Sequence, residues 1–232
     1  MIRLAWLFDV DGTLLRTQGS REAFREATRM LIGVDDPLES VAFAGRTDPL
    51  ILGDILRRHG RTLSEAETAR FWHIARTRMQ VVLASGRGQV LPGVVALLET
   101  IAREPEWVPG LLTGNAAAMA RVKLGAFGLD EAFVFGAFGD EAPDRDTLAR
   151  QAVAEVAERW GVPPERCVVV GDTELDVQCA RAAGAKAVAV ATGARSRSDL
   201  EACGPDLLLD DLGDPGMLLD WARAVAADGN PG

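Results

Sequence analysis

The sequence predicts an α/β fold in which a Rossmann-like parallel sheet is flanked by helices and an all-helical cap is inserted after the first strand. Two observations lead to this prediction. Apolar strand patterns alternate with helical patterns along most of the chain, which is the order that builds a parallel sheet covered on both faces. Residues 16–88 interrupt the alternation, because they contain three helical patterns and no convincing strand. We therefore predict a core of residues 1–15 and 89–232 and a cap of residues 16–88.

The predicted core strands are short and almost continuously apolar, as expected for strands that are buried on both faces. They cover residues 4–10, 106–113, 132–138, 166–171, 185–192 and, as a short last strand, 205–211. The helical patterns between and after them cover about residues 93–103, 115–126, 146–160, 174–183 and 214–227. The last six residues, "ADGNPG", are expected to be frayed.

Capping signals mark the starts of the three cap helices. Ser20 is interpreted as the N-cap of the first helix and Asp48 as the N-cap of the second. Ser64 and Glu67 have the spacing of a capping box at the start of the third. The stretch "SGRGQVLPG" at 85–93 is then the linker that returns to the core, and its glycines predict a hinge that lets the cap move.

Composition and charge are those of an ordinary globular protein, and they narrow the range of partners. Of the 232 residues 48% are hydrophobic, and no apolar run reaches the length of a membrane span. The formal net charge of −9 argues against nucleic acid or an anionic membrane as a partner. The N-terminus lacks the signal-peptide order of basic, apolar and small residues, so the expected location is the cytoplasm.

Polar residues follow three of the predicted core strands at the point where each strand ends. They are Asp9, Asp11 and Thr13 after the first strand, Thr113, Gly114 and Asn115 in "LLTGN", and Asp172, Thr173, Glu174 and Asp176 in "GDTELD". Taken singly, each group could be a helix cap or a turn. Ligands of open α/β sheets bind beyond the carboxyl ends of the strands, so three such groups at one edge predict a binding site there.

The chemistry of this set favours a hard divalent cation and a phosphate ester. Two His and three Cys residues without a CxxC pair predict no zinc site, so a metal would be bound by oxygen atoms. Asp9 and Asp172 offer the carboxylates that Mg²⁺ takes together with waters and a substrate phosphate. Asp176 lies four residues after Asp172, where it would hold a metal-bound water. Such a cation reduces the repulsion between an anionic ester and its nucleophile.

The motifs "DVDGT", "LLTGN" and "GDTELD", with a helical insertion after the first, resemble the first, second and fourth motifs of the haloacid dehalogenase superfamily. The insertion is similar to the small helical cap of its phosphoglycolate phosphatase-like members. The resemblance implies that Asp9 is a nucleophile that forms an aspartyl-phosphate and that Asp11 is the general acid and base. It also implies that Mg²⁺ is bound by Asp9, Asp172 and the backbone carbonyl of Asp11.

The second aspartate of "DVDGT" separates the classes of this superfamily. By the same resemblance, dehalogenases and phosphonatases carry other residues in place of Asp11, so both classes are disfavoured. Nearby carboxylates are expected to raise the pKa of Asp11 far enough for it to hold a proton, although a metal acts in the opposite direction. The "LLTGN" motif is expected to bind phosphate through Thr113, Gly114 and Asn115.

A basic side chain is needed to offset the carboxylates and hold the phosphate, and two residues could supply it. The superfamily's third motif is a lysine, but the corresponding stretch "GAFGDEAPDRDTLARQA" contains Arg145 and no lysine. Lys123 lies on the helix after the second motif, roughly 12 Å along it at about 1.5 Å per residue. Arg145 starts at the catalytic edge and can make a forked contact with phosphate oxygens, so it is favoured over Lys123 as the phosphate-binding cation.

The cap offers one candidate loop for substrate recognition. "AGRTDPLIL" places Arg46 and Thr47 just before a helix start and resembles a substrate-facing cap loop of related phosphatases. The alternative is that Arg46 is a solvated arginine beside an N-cap. Arg16, Thr17 and Gln18, just after the first motif, are weaker candidates for the same cleft.

Together these features predict a magnesium-dependent phosphomonoester hydrolase that acts on a small phosphorylated metabolite. Two alternatives stay open. A phosphomutase would use the same carboxylates, and a non-catalytic regulatory module of this fold would normally have lost one of them. The sequence leaves the identity of the substrate and the oligomeric state open.

Overall fold

The structure of the chain is a computed structural model that describes residues 1–227. Its strands are β1 Leu4–Phe8, β2 Leu15–Thr17, β3 Gly88–Val90, β4 Trp107–Thr113, β5 Phe135–Phe138, β6 Cys167–Gly171, β7 Lys186–Val190 and β8 Leu207–Leu209. Six of them form a parallel sheet in the order β5-β4-β1-β6-β7-β8. The predicted fold class is confirmed. The fraying expected for "ADGNPG" concerns residues that lie, apart from Ala227, outside the described range.

Helices flank this sheet and fill the segment between β2 and β3. They are α1 Ser20–Ile32, α2 Asp48–Arg58, α3 Glu65–Ala84, α4 Val94–Arg103, α5 Ala117–Gly125, α6 Arg145–Trp160, α7 Glu174–Ala182, α8 Arg197–Ala202 and α9 Gly216–Ala227. Short 3₁₀ turns precede β5 and β6 at Asp130–Ala132 and Pro164–Arg166. Within residues 1–227 no helix combines the length and the hydropathy that a membrane crossing requires.

Strand β1 lies inside the sheet and carries the first motif to the sheet edge. It pairs with β4, which sets Leu4 opposite Trp107, and with β6 on its other side. All five of its residues are buried, as expected for a strand whose two faces are both covered. Trp6 and Phe8 belong to the apolar cluster on one face and Leu7 to the cluster on the other. This packing fixes the point at which the chain leaves the sheet, and with it the position of the next residue.

Helices α1, α2 and α3 pack around an apolar cluster that also includes Met119 of α5. The cluster includes Phe24, Phe71 and Met79, and the rings of Phe24 and Phe71 meet edge-on with their centroids 5.6 Å apart. A second interaction ties the helices together at the surface, where Glu22 of α1 pairs with Arg78 of α3. We propose that residues 16–88 act as the cap that the sequence predicts.

The two segments that connect the cap to the core pair with each other. β2 and β3 form a two-stranded antiparallel ribbon in which Arg16 lies opposite Gln89. The expectation that residues 16–88 contain no strand is therefore wrong at both borders of the cap. Each segment is too short to show a strand pattern by itself, but side by side they satisfy each other's backbone hydrogen bonds.

Two predicted helix starts lie one residue away from the observed ones. Gly19 precedes α1 and Ser20 is its first residue, while Thr47 precedes α2 and Asp48 is its first residue. The N-cap predictions for Ser20 and Asp48 are wrong because both side chains turn to partners in the core. Ser20 accepts a hydrogen bond from Lys123. Asp48 accepts one from a backbone N–H just before α5.

Capping boxes begin three other helices, α3, α7 and α8. The box of Ser64 and Glu67 at the start of α3 is confirmed. A second box, formed by Ser196 and Asp199, starts α8. The sequence analysis did not predict α8, because a helix of six residues is too short to show an amphipathic period.

Candidate active site

A cavity of about 410 Å³ lies at the carboxyl edge of the sheet, between the core and the cap. The core lines it with Asp9, Asp11, Gly114, Asn115, Lys123, Arg145, Asp172, Thr192 and Gly193, and residues 16–51 add Arg16, Thr17, Ser20, Phe43, Arg46, Asp48 and Ile51. The strand ends that the sequence predicted to meet do so here, as the topology of a parallel sheet requires.

Asp9 occupies the end of β1 and is 5% exposed. Its backbone N–H donates to the carbonyl of Val170 at 2.9 Å, which extends the β1–β6 pairing to the site. Burial raises the pKa of its carboxyl group to about 6, with the carboxylates of Asp176 and Asp11 adding to the effect and the guanidinium of Arg145 opposing it. Asp9 is therefore a carboxylate whose charge depends on the positive groups around it.

Three buried carboxyl groups lie together beside β1 and β6. Asp9, Asp172 and Asp176 each present an oxygen within 4.8 Å of the others. Burial and the charges of Asp176 and Asp9 raise the pKa of Asp172 to about 8. A cation bound among these oxygens would favour the charged forms and lower those pKa values, so the donor set fits a hard divalent metal.

The chain leaves room around Asp172 by placing glycine on both sides of it. A β-carbon at Gly12, which has φ of 84°, would collide with the Asp172 carboxylate, and so would one at Gly193. Gly12 thus serves two needs, because it allows the left-handed turn after "DVD" and keeps the carboxylate accessible. Gly193 follows β7, a strand end that the sequence analysis did not include in the site.

Asp176 contacts the cluster but has both oxygens engaged within the protein. Its Oδ2 accepts from the backbone N–H and the hydroxyl of Thr173, at 2.9 Å and 2.7 Å, which completes a capping box for α7. Its Oδ1 pairs with Arg145. Because both of its oxygens already have partners in the protein, Asp176 is better suited to support the metal ligands than to bind a metal directly.

Arg145 is the buried cation that touches the first aspartate. It is the first residue of α6 and is 7% exposed, and its Nη2 lies 3.3 Å from Asp9 Oδ1. Although burial alone would lower it, the charges of Asp176 and Asp9 hold the pKa of this guanidinium well above its usual value. Arg145 also donates from Nη1 to the carbonyl of Gly45 in the cap, at 3.3 Å.

Asp11 is held by three donors. Thr17 Oγ1 donates to its Oδ1 at 2.9 Å, while Asn115 Nδ2 and Lys123 Nζ donate to its Oδ2 at 2.9 Å and 2.5 Å. Burial raises the pKa of Asp11, but the charge and hydrogen bonds of these partners outweigh it, and the pKa lies below its usual range. The expectation of a raised pKa is therefore wrong for this arrangement, because it did not include a lysine beside Asp11.

Lys123 reaches the site, although its distance along α5 suggested that its position was poor. Besides Asp11, its Nζ contacts Asn115 Oδ1 at 2.7 Å and Ser20 Oγ at 3.2 Å. The helix begins at Ala117, and a helical side chain leans toward the N-terminus of its helix, so the ammonium comes back to the sheet edge. Its three N–H donors have three acceptors and point at Asp11 rather than Asp9.

Two residues of the "LLTGN" motif line the cavity, and a third supports them from behind. Gly114 and Asn115 line the cavity, whereas Thr113 is fully buried and lies behind them. Thr113 Oγ1 accepts from the side chain of Asn115 at 2.8 Å, which orients that amide toward Asp11.

The two predicted cap residues also have different positions. Arg46 lines the cavity, with its guanidinium paired to Asp54 of α2, so it is not a freely solvated side chain. Thr47 is 1% exposed, and its hydroxyl has no hydrogen-bond partner within residues 1–227.

Sequence reasoning missed several residues of this site. Ser20 and Asp48 were interpreted only as helix caps, and Thr192 was not considered. The hydroxyl of Thr192 donates to the Gly12 carbonyl at 2.5 Å, and its own carbonyl accepts from Arg16 at 2.8 Å. The ending "VATG" after β7 was an available signal, because it delivers polar residues to the same sheet edge.

Comparison with known proteins identifies the family of the chain. The family described as haloacid dehalogenase-like hydrolase matches residues 5–184. The chain belongs to this family. The resemblance inferred from the three motifs is thereby confirmed, and the match covers every motif and the whole cap.

Relatives of this hydrolase include two named phosphatases. Phosphoglycolate phosphatase of Synechococcus elongatus is 31% identical over 89% of this chain and 92% of that protein. Fructose-1-phosphate phosphatase YqaB of Escherichia coli is 30% identical over 79% of this chain and 94% of that protein. Among solved structures, CbbY from Rhodobacter sphaeroides in complex with phosphate has a TM-score of 0.75 at 27% identity and covers 93% of this chain and 97% of that one.

Proposed function

We propose that this hydrolase cleaves the phosphomonoester of a small metabolite with Asp9 as nucleophile, Asp11 as acid and base, and Mg²⁺ as cofactor. The observation that carries the proposal is the surroundings of Asp9. The guanidinium of Arg145 lies on one side, 3.3 Å from Asp9 Oδ1, and the carboxyl groups of Asp172 and Asp176 lie on another. A nucleophile that lies between a cation and hard oxygen ligands is suited to attack the phosphorus of an anionic phosphate ester.

The reaction class follows from the family and the relatives. The chain is a hydrolase of the haloacid dehalogenase-like family, and the relatives that match most of its length are phosphatases. It is therefore a phosphoric monoester hydrolase that acts on a small phosphorylated metabolite. Their names give a two-carbon acid and a six-carbon sugar as the phosphorylated groups, so we propose a substrate within this range.

In the proposed first step, an oxygen of Asp9 attacks phosphorus while the bond from phosphorus to the ester oxygen breaks. The products of this step are an aspartyl-phosphate and an alcohol, whose oxygen takes its proton from Asp11. In the second step Asp11 accepts a proton from a water that attacks the phosphorus, which releases inorganic phosphate and restores Asp9. The oxygen that leaves phosphorus in the first step and the water that attacks it in the second occupy the same position. Both steps therefore need Asp11 within reach of that position, and Asp11 follows Asp9 closely in "DVD".

Asp11 must take up its proton from solvent when the substrate binds. Lys123, Asn115 and Thr17 stabilise the carboxylate form, which is the form required of the base in the second step. A phosphate dianion bound beside this carboxylate raises its pKa, so Asp11 takes up the proton that it later donates.

Mg²⁺ would be held by the carboxylates of Asp9 and Asp172 and by the backbone carbonyl of Asp11, with Asp176 acting through a water. The carboxylate cluster and the two glycines that clear Asp172 support this set. When bound, the cation offsets the charge of the phosphate and polarises the ester.

We assign the phosphate to Arg145, Gly114 and Asn115, with Thr113 as a support behind them. Arg145 touches the nucleophile, whereas Lys123 is committed to Asp11, so we propose Arg145 as the phosphate-binding cation and Lys123 as the partner of the acid. Arg46 faces the same cavity from the cap, and we propose that Arg46, together with the buried Thr47 that follows it, contributes to substrate selection.

Removal of divalent metal is expected to stop the reaction. Turnover of an aryl phosphate by the purified enzyme should fall to background in excess chelator and return when Mg²⁺ is added. An enzyme stripped of metal and assayed with Na⁺ alone is the matched control for ionic strength. Undiminished turnover in excess chelator would contradict the metal assignment.

The substrate is best sought by a screen of phosphorylated metabolites with Mg²⁺, measuring released phosphate and using Asp9→Asn as the blank. Release of phosphate from one group of compounds supports the proposal. Interconversion of sugar phosphates that depends on a sugar bisphosphate, with little phosphate released, would favour the phosphomutase.

A further inference from the structure

The loop that joins α1 to α2 lies directly on the catalytic edge of the core. We call residues 43–48 the docking loop. A β-carbon added to Gly114 in the second motif would collide with the carbonyl of Arg46. A β-carbon added to Gly45 would lie 2.7 Å from the hydroxyl of Thr173 in the fourth motif. The docking loop therefore touches two motif loops of the core, at positions where only glycine leaves enough space.

Asp48, at the end of this loop, makes a reciprocal pair of hydrogen bonds with the second motif. Its backbone N–H donates to the carbonyl of Gly114 at 2.7 Å. Its carboxylate Oδ2 accepts from the backbone N–H of Ala116 at 2.8 Å. Asp48 is 6% exposed, so these bonds are shielded from water. One cap residue thus binds both sides of Asn115.

The carboxylate of Asp48 caps α5 rather than its own helix. Ala116 occupies the N-cap position of α5 and has no side-chain oxygen, so α5 has no side-chain cap within its own segment. Thr47 occupies the N-cap position of α2 and makes no side-chain hydrogen bond to that helix. The N–H of Ala117, the first residue of α5, donates to Asp140 of the core at 2.9 Å, whereas the N–H of Ala116 finds its carboxylate in Asp48 of the cap.

We propose that Asp48 is a positioning residue that fixes the docking loop, and with it Arg46, on the phosphate-binding motif. The inference rests on the proposed function, because it assumes that Gly114 and Asn115 bind the substrate phosphate. Asp48 acts through these neighbours: it holds the cap on the core and keeps the N-terminal turn of α5 aligned.

Burial of the Asp48 carboxylate at this interface is only partly offset by the groups around it. Burial raises the pKa of Asp48 to about 6, while the ammonium of Lys123 and the N–H of Ala116 act in the opposite direction. Asp11 and Asp140 also face it and add to the rise. Because the pKa of Asp48 in the docked state lies above its ordinary value, the charge of this carboxylate opposes docking at pH 7, and its two hydrogen bonds rather than its charge favour docking.

The test compares Asp48→Ala, Asp48→Asn and Ser64→Ala. Asparagine keeps an acceptor oxygen for Ala116, and alanine removes it. Ser64→Ala is the matched control, because it removes an N-cap acceptor in the cap far from the core and should lower Tm by about 2–4 °C. Hydrogen exchange of peptides that span residues 114–118 is measured on the metal-free enzyme, and KM and kcat are measured with an aryl phosphate and Mg²⁺.

Asp48→Ala is expected to speed exchange at 114–118 and to raise KM on the order of tenfold with a smaller change in kcat. The reason is that only the docked fraction of the enzyme binds substrate well. Asp48→Asn should stay near the parent enzyme in both readouts, and Ser64→Ala should change neither. If Asp48→Ala does not fold, Asp48→Glu, which displaces the carboxylate by one methylene, should give the same changes to a smaller extent.

Unchanged exchange and unchanged KM in a folded Asp48→Ala would overturn the proposal. A fall in kcat alone would also overturn it, because that result indicates a chemical role. The exchange measurement needs neither substrate nor metal. A parent enzyme without phosphatase activity would therefore refute the proposed function and leave the positioning role of Asp48 to be judged by exchange.

Discussion

Replacing Asp9 with asparagine is expected to reduce turnover to background with every phosphate ester. The amide cannot attack phosphorus in place of the carboxylate, and among residues 1–227 no other carboxylate is placed to do so. The Asp172 carboxylate packs against Gly12 and Gly193. The carboxylate of Asp176 already accepts from Thr173 and pairs with Arg145. The loss should be the same for esters with good and poor leaving groups, because the first bond to phosphorus never forms. Released phosphate under saturating Mg²⁺ is the measurement.

The same substitution should leave the protein folded, which separates lost chemistry from lost structure. The pKa of Asp9 is raised to about 6 in the folded chain, above its ordinary value of 3.8. At pH 7 the charged carboxylate therefore disfavours the folded state, and this effect is absent below the ordinary pKa. Asparagine removes the charge, so the Tm of the metal-free variant should equal or exceed that of the parent. Retained turnover in a folded Asp9→Asn variant would refute the assignment of Asp9 as the nucleophile.

Arg145→Ala is expected to lower kcat by about 100-fold or more, the scale for losing one donor that stabilises a transition state. The guanidinium is the cation nearest the nucleophile and sits on the rigid first turn of α6. Arg145→Lys should recover much of the activity, because it keeps the charge and loses only the forked geometry. Arg150→Ala is the matched control, since Arg150 lies on the exposed face of the same helix.

Lys123→Ala serves as the comparison for the second basic residue. Its effect on kcat should be clearly smaller than that of Arg145→Ala, because Lys123 contacts Asp11 and Asn115 rather than Asp9. Near-normal turnover in Arg145→Ala together with collapse in Lys123→Ala would reverse the two roles. Mild effects in both would show that the site needs no such cation.

The fold and the acidic part of the site could be predicted because both follow from local patterns. Strand and helix alternation determines a parallel sheet, and the sheet brings the ends of its strands to one edge. Asp9 and Asp172 follow β1 and β6, which are neighbours, so their proximity requires no knowledge of side-chain packing. The same reasoning would have found Thr192 if the end of β7 had been included.

The contacts between cap and core could not be predicted from the sequence, because they depend on how residues 16–88 pack against the edge of the sheet. Asp48 before a proline has the local pattern of an N-cap, yet its carboxylate accepts from the N–H of Ala116, just before α5. Ser20 likewise turns from its own helix to Lys123. The ion pair between Lys123 and Asp11 could not be predicted either. The distance of Lys123 along α5 did not indicate that it lowers the pKa of Asp11.

The central claim is that phosphate is transferred to Asp9, and trapping the phosphorylated enzyme tests it most directly. Asp11→Asn, given an aryl phosphate whose leaving group needs no proton, should form the aspartyl-phosphate and hydrolyse it slowly. After acid quench, digestion and mass spectrometry, we expect one added phosphate on the peptide that contains Asp9. A phosphate on any other residue, or release of the aryl alcohol without a phosphorylated peptide at any time point, would contradict the account.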